Sequence, residues 1–81
     1  MAVLRVLSSA GDKTICWDPA KVESGDPEAL AAVLEAERIF AQERSRGAVA
    51  FRVEPGIPAE RIDVFEQDAK ETIIVPRIAG G

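Results

Sequence analysis

The chain is short, mildly acidic and free of histidine. Its 81 residues carry 10 Lys and Arg against 14 Asp and Glu, a net charge of −4, and 47% of them are hydrophobic. That composition suits one globular domain but lacks the basic face of a nucleic-acid-binding domain. Histidine is the commonest general base and metal ligand, so its absence argues against an enzyme and a metal site, and we expect no bound cofactor.

The single cysteine, Cys16, excludes a disulfide within the chain and favours a reducing compartment. It lies in an alternating apolar stretch, which favours a buried filler over a nucleophile. The chain has no run of about 18 apolar residues and no signal-peptide pattern after Met1. We therefore expect a cytoplasmic protein that has no membrane partner.

The first 17 residues predict a β-hairpin. Residues 2–7 and 13–17 alternate as strands do, and residues 8–12 supply turn-forming types between them. The alternation predicts that Leu4 and Val6 share one face of the first strand, and that Ile15 and Trp17 of the second strand point to the core. Val3, Arg5 and Leu7 then lie on the other face of the first strand, and Thr14 and Cys16 point away from the core.

A long helix is predicted from Pro27 to Arg46. Asp26 is a suitable N-cap, and Pro27 suits the first helical position. Gly47 is the residue type that most often follows the last turn of a helix. All of these local signals indicate the same boundaries.

The apolar stripe of this helix is predicted to comprise Leu30, Val33, Leu34, Phe40 and Ala41. Glu37 falls near the centre of that stripe. Ile39 falls on the opposite, solvent-facing side, and we consider it a possible partner contact.

The second half of the chain predicts three more strands. These are residues 49–53, 61–65 and 71–75, with a polar turn at 66–70. Residues 54–60 are predicted to form a loop, because two prolines and a glycine interrupt regular structure. The order β-β-α-β-β-β predicts an α+β domain over residues 1–75, with a mixed sheet and one long helix packed on one face.

The chain closes with a glycine pair, Gly80 and Gly81. Pro76 cannot donate a backbone hydrogen bond, so we expect sheet pairing to stop there and residues 76–81 to form a flexible C-terminal tail. Glycines carry no side chains, so the pair can thread a narrow channel and present a carboxylate to another protein's active site.

The element order, with a last strand running into Gly-Gly, resembles the β-grasp fold of the ubiquitin-like superfamily over nearly the whole chain. The specific motif is short, and it is similar to the tails of bacterial sulfur carriers: Ile74-Val75-Pro76-Arg77-Ile78-Ala79-Gly80-Gly81. A second run also resembles bacterial ubiquitin-like domains: Gly47-Ala48-Val49-Ala50-Phe51-Arg52-Val53.

The resemblance implies a protein carrier or modifier that is the substrate of an activating enzyme. In the family, that separate enzyme uses ATP and Mg²⁺ to adenylate the terminal carboxylate, which here belongs to Gly81. Gly80 is then the second residue of the channel-threading pair. The implied tail contacts with the activating enzyme are Arg77, Ile78 and Ala79.

The exposed sheet face is a common recognition surface in the family, and by this resemblance it includes Arg5, Leu7 and Arg52. Three functions stay open. The first is a modifier joined through Gly81 to lysines of target proteins, which the long helix and the proline-rich segment 54–60 favour slightly. The second is a sulfur carrier that forms a thiocarboxylate and meets a sulfurtransferase or sulfur acceptor. The third is a β-grasp binding subunit without chemistry of its own.

Overall fold

The computed structural model describes residues 1–8 and 11–76 of the chain. This part forms five strands and two helices. Their bounds are β1 (Ala2–Val6), β2 (Lys13–Trp17), α1 (Pro19–Glu23), α2 (Pro27–Ser45), β3 (Val49–Glu54), β4 (Ile57–Ile62) and β5 (Glu71–Val75).

The strands form one mixed sheet in the order β2-β1-β5-β3-β4. β1 pairs with β5 in parallel, and the other three pairings are antiparallel. The hairpin of β1 and β2 and the mixed sheet are as predicted. The domain is therefore a small α+β fold with a five-stranded mixed sheet and one long helix.

The sheet is buried on one face only. Its buried side chains all lie on the face that packs against α2: Ala2, Leu4, Val6, Trp17, Ala50, Ile62, Thr72 and Ile74. The residues between them along each strand are half-buried or exposed. Such an alternation is typical of a sheet that is covered by a helix on a single side.

The boundaries predicted for α2 hold to within one residue. A carboxylate oxygen of Asp26 accepts a hydrogen bond of 3.0 Å from the Ala29 backbone N–H, which satisfies a donor of the first turn. The helix ends at Ser45, one residue earlier than predicted. Gly47 follows with a φ of 91°, a left-handed conformation that glycine adopts without steric cost.

The predicted apolar stripe of α2 is wrong for three of its members. The buried residues are Ala29, Val33, Ala36, Ile39 and Phe40, whereas Leu30, Leu34 and Ala41 are exposed. The helix is turned by about one residue, roughly 100°, from the predicted orientation. Ala36 lies in the buried core cluster with Val33, Ile39 and Phe40, whereas the two leucines of the predicted stripe are exposed.

Ile39 is consequently buried, at 6% exposure, and is not a solvent-facing partner contact. Glu37 is exposed on the flank of the helix beside Leu34 and Ala41, outside the buried stripe.

Residues 54–60 form the turn and most of the second strand of a hairpin, not a loop. β3 continues to Glu54, and Pro55 and Gly56 make the turn, with Gly56 at a φ of 77°. Pro58 lies in β4, which is an edge strand where a missing N–H need not remove a ladder bond. β4 then ends at Ile62, so the strand predicted over residues 61–65 is in fact its last two residues and a bend.

The short helix α1 is an element that the sequence interpretation missed. Asp18 caps it by accepting a hydrogen bond of 3.0 Å from the Ala20 backbone N–H, and Pro19 is its first residue. The Asp-Pro pair repeats the signal at Asp26 and Pro27. Five residues are too few to show a helical period, which explains why the pattern gave no indication.

Candidate protein-interaction site

The sheet face that points away from α2, here called the open face, is largely apolar. Its apolar side chains are Val3, Leu7, Val49, Phe51, Val53, Ile73 and Val75. All are half-buried except Val75, which is 37% exposed. A contiguous apolar surface of this kind marks an interaction site more often than an ordinary solvent face.

The strand register places Ile73 at the centre of the open face. Ile73 lies opposite Arg5 on one side and Phe51 on the other. Val75 lies opposite Val49 one step further along. Because directly opposed residues share a face, these side chains form two adjoining rows across β1, β5 and β3.

Arg5 and Leu7 lie on the open face, as the sequence predicts. Arg5 forms an ion pair of 3.2 Å with Glu71 across β1 and β5, and both side chains remain in contact with solvent. Leu7 follows β1, but its backbone N–H still donates a hydrogen bond of 3.0 Å to the Ile74 carbonyl oxygen. That bond extends the parallel ladder and fixes Leu7 beside the end of β5.

A shallow hollow of about 390 Å³ lies at the opposite end of the open face. Val3, Val53 and Pro55 provide its apolar lining, and Lys70 and Glu71 lie at its margin. The open face therefore combines an apolar centre with charged margins of both signs, as protein-recognition surfaces do.

Arg52 differs from the expectation, because the structure places it on the opposite face. It lies across from the buried Thr72, on the side that faces α2. One guanidinium nitrogen donates a hydrogen bond of 2.7 Å to Glu66, and another bonds to Glu60. The hydrogen bond to Glu66, followed by the charges of Glu66 and Glu60, raises the pKa of Arg52. Arg52 thus links β3 and β4 to the segment before β5.

The strand that precedes the C-terminal residues is β5, the central strand of the sheet. β5 is paired with β1 as far as Ile74 and with β3 as far as Val75, and Pro76 follows without strand structure. The expected site residues beyond it lie outside the described residues: Arg77, Ile78, Ala79, Gly80 and Gly81. Of the predicted flexible tail, residues 76–81, the part from residue 77 onward also lies outside the described residues.

Cys16 is exposed, so the interpretation as a buried filler is wrong. It lies opposite Val3 on the open face, as the strand alternation predicts. Within residues 1–8 and 11–76, no three His, Cys, Asp or Glu side chains come together in a way that could hold a metal ion. Neither described helix is long and apolar enough to cross a membrane.

Phe51, Ile73 and Val75 are members of the open face that sequence reasoning did not select. The signal was present, because residues 49–53 and 71–75 each carry at least one apolar side chain on both of their alternating faces. One face of each strand must then expose apolar groups in a sheet covered by a helix on a single side.

Comparison with known protein families, with curated proteins and with solved structures found no match for this chain.

Proposed function

We propose that the chain is a β-grasp, ubiquitin-like protein whose Gly81 carboxylate is adenylated by a separate activating enzyme and then joined to lysines of target proteins. The observation that carries the proposal is the position of β5. It is the central strand, paired with β1 as far as Ile74 and with β3 as far as Val75, and the sequence beyond Pro76 leads directly to Gly80 and Gly81.

The sheet order supports the β-grasp assignment. A β-grasp domain has a mixed sheet with one long helix packed on one face. The order β2-β1-β5-β3-β4, with parallel β1 and β5 and α2 on one face, fits that description. The resemblance stated from the sequence and the observed strand order are thus consistent with each other.

The proposed chemistry assigns each group to one of two proteins. The carboxylate of Gly81, taken as the C-terminal residue, attacks the α-phosphate of ATP and releases pyrophosphate, which gives an acyl-adenylate. A nucleophile then attacks the acyl carbon and AMP leaves. The activating enzyme supplies ATP, Mg²⁺ and the cysteine whose sulfur is this nucleophile. This chain supplies the carboxylate and a docking surface.

The open face is the proposed docking surface for the activating enzyme or a later partner. Its centre at Ile73 lies on the same strand that continues into the tail, so a partner seated there is also close to Pro76. An apolar centre with charged margins suits a reversible protein contact.

Sulfur transfer is the alternative, in which Gly81 becomes a thiocarboxylate after the same activation. The segment 54–60 is a hairpin and not a long loop, so it no longer favours the modifier over the carrier. The length of α2, 19 residues, remains as the feature that favours the modifier. A β-grasp binding subunit is the second alternative, and the open face alone is sufficient for it.

ATP–pyrophosphate exchange with the activating enzyme of the source organism tests the proposal. We expect exchange with the intact chain and none after deletion of Gly81. An Ile73→Ser variant should reduce the exchange without abolishing it, because it weakens docking and leaves the carboxylate in place. Exchange that is unchanged by the Gly81 deletion overturns both the modifier and the carrier and leaves the binding subunit.

Intact mass spectrometry of the protein from its own host separates the two activated forms. Lysine-linked adducts through Gly81 support the modifier. Replacement of a carboxylate oxygen by sulfur supports the carrier and overturns the modifier.

A further inference from the structure

A second apolar surface lies on the flank of α2, on the side of the sheet away from the open face. Leu34 and Val64 are 65% and 67% exposed, more than any other large hydrophobic residue except Met1 among those described. A hollow of about 400 Å³ lies beside them, between α2 and the bend that follows β4. This surface is called the α2 flank below.

The hollow has an aromatic lining. The rings of Phe40 and Phe65 meet edge to face with centroids 5.8 Å apart, and Ala41 and Val64 complete the apolar wall. Because the hollow is shallow and open to solvent, it suits one large apolar side chain of a partner better than an enclosed small molecule.

The flank continues along the helix as a single row. Leu30, Leu34, Glu37 and Ala41 follow one another at spacings of four, three and four residues, so their side chains lie in line. The row runs parallel to the axis of α2 and passes the hollow at Glu37 and Ala41. A partner helix that lies along this row can place one side chain on Leu34 and a second side chain, one turn away, in the hollow.

The charge at the hollow is negative. Glu37 forms no ion pair among the described residues. Arg44 is already engaged, with one nitrogen 3.0 Å from Asp63 and another donating to the Ala48 carbonyl oxygen at 3.1 Å. Asp63 nevertheless keeps 75% of its side chain exposed. The carboxylates of Glu37 and Asp63, against the guanidinium of Arg44, give the lining of the hollow a net charge of −1 on a chain of net charge −4. Glu37 is the carboxylate left for a partner there, and the complementary partner is cationic.

We propose that the α2 flank binds an amphipathic, basic helical segment of another protein. An apolar side chain of that segment occupies the hollow over Phe40 and Phe65, and a lysine or arginine one turn away pairs with Glu37. The inference is independent of the chemistry at Gly81, because it rests on a different face and uses no residue of the tail.

The test uses two labelled helical peptides of roughly four turns, with leucines at i, i+3, i+4 and i+7 spacing and either lysine or glutamate elsewhere. Fluorescence anisotropy with the full chain measures binding. We expect the lysine peptide to bind, more weakly as salt is raised, and the glutamate peptide not to bind.

Variants of the chain localise the contact. Val64→Ser and Leu34→Ser should each weaken binding about tenfold or more, since each removes an exposed apolar group at the contact. Glu37→Gln should weaken binding about threefold to tenfold and reduce its salt dependence. Glu28→Gln, which removes a carboxylate from the first turn of α2, is the charge control and should leave the affinity unchanged. Circular dichroism confirms that each variant is folded.

Val75→Ser on the open face is the surface control, and it too should leave the affinity unchanged. Three outcomes overturn the proposal. One is a loss of peptide affinity in Val75→Ser that is as large as the loss in Val64→Ser. Another is equal binding of both peptides. The third is a dimer of the intact chain, in sedimentation equilibrium, that Val64→Ser dissociates, because that result assigns the flank to a second copy.

Discussion

The indole Nε1 of Trp17 donates a hydrogen bond of 3.1 Å to the backbone carbonyl oxygen of Gln67, fifty residues further along the chain. The same ring lies 5.8 Å from the ring of Phe65, measured between centroids. The end of β2 thereby holds the segment that joins β4 to β5.

Replacing Trp17 with Phe should lower the free energy of unfolding by about 2 kcal/mol, because the carbonyl oxygen loses its donor and the core loses volume. Urea denaturation followed by circular dichroism measures the change. Protease cleavage within residues 66–70 should also become faster. A variant that matches the parent in both measurements shows that the contact does not stabilise the segment.

Adjacent residues of β5 should differ sharply in their sensitivity to truncation. Ile74 is fully buried, and Ile74→Ala should cost about 3 kcal/mol of stability. Val75 points to the open face, and Val75→Ala should cost roughly 0.5 kcal/mol. The two variants are matched controls for each other in chemical denaturation. Equal costs would contradict the assignment of faces in the central strand.

The orientation of α2 can be tested with a second pair of variants. Ile39→Ala should lower the free energy of unfolding by about 2–4 kcal/mol, because the residue belongs to the buried cluster. Leu34→Ala should change it by less than about 0.5 kcal/mol. The pattern predicted from the sequence alone is the reverse, so thermal or urea unfolding of the two variants decides between the orientations.

The contribution of Glu35 to the stability of the folded state should decrease at acidic pH. A hydrogen bond from Arg38, 2.7 Å at its shorter contact, holds the pKa of Glu35 below its ordinary value of 4.5, with the charges of Arg38 and Lys13 adding to the effect. Because the folded-state pKa is the lower one, the stabilisation is present above pH 4.5 and disappears as the pH falls through the folded-state value.

The measurement is the difference in Tm between the parent and Glu35→Gln across this pH range. The parent should be the more stable at neutral pH, and the difference should shrink toward zero as the pH falls below 4.5. A difference that stays constant with pH would show that the glutamine alters packing and not charge.

The parts of the fold that local chemistry dictates could be predicted from the sequence. Asp26, Pro27 and Gly47 set the ends of α2, and the alternation around Leu4 and Val6 assigned the two faces of β1. These features depend on neighbours within a turn or a strand. That is the range over which a single sequence is informative.

The remaining features depend on distant contacts. The orientation of α2 places Ala36 and Ile39 in the core and exposes Leu34, whereas the hydrophobic pattern of the helix alone ranks leucine above alanine. Pro58 is compatible with a strand only because β4 lies at the edge, and no local signal reveals an edge. The face of Arg52 follows from its register against Thr72, a pairing of residues twenty positions apart.

One part of the candidate site can be read from the sequence, and another part depends on distant contacts. The glycine pair is visible in the sequence, while the open face around Ile73 requires knowledge of which strands are neighbours. The alternation of the first strand placed Arg5 and Leu7 together on one face, and the resemblance to the β-grasp family suggested that this face is the exposed one.

The parallel pairing of β1 with β5 also determines how the domain resists mechanical force. Ala2 begins β1 and Pro76 follows β5, so a pull that separates these two points drags the strands in opposite directions along their length. The load then falls on all hydrogen bonds of the ladder together instead of opening them one after another. A force applied between Ala2 and Pro76 must therefore break the β1–β5 ladder as a unit, and the rate of that forced unfolding sets how long the domain withstands the force.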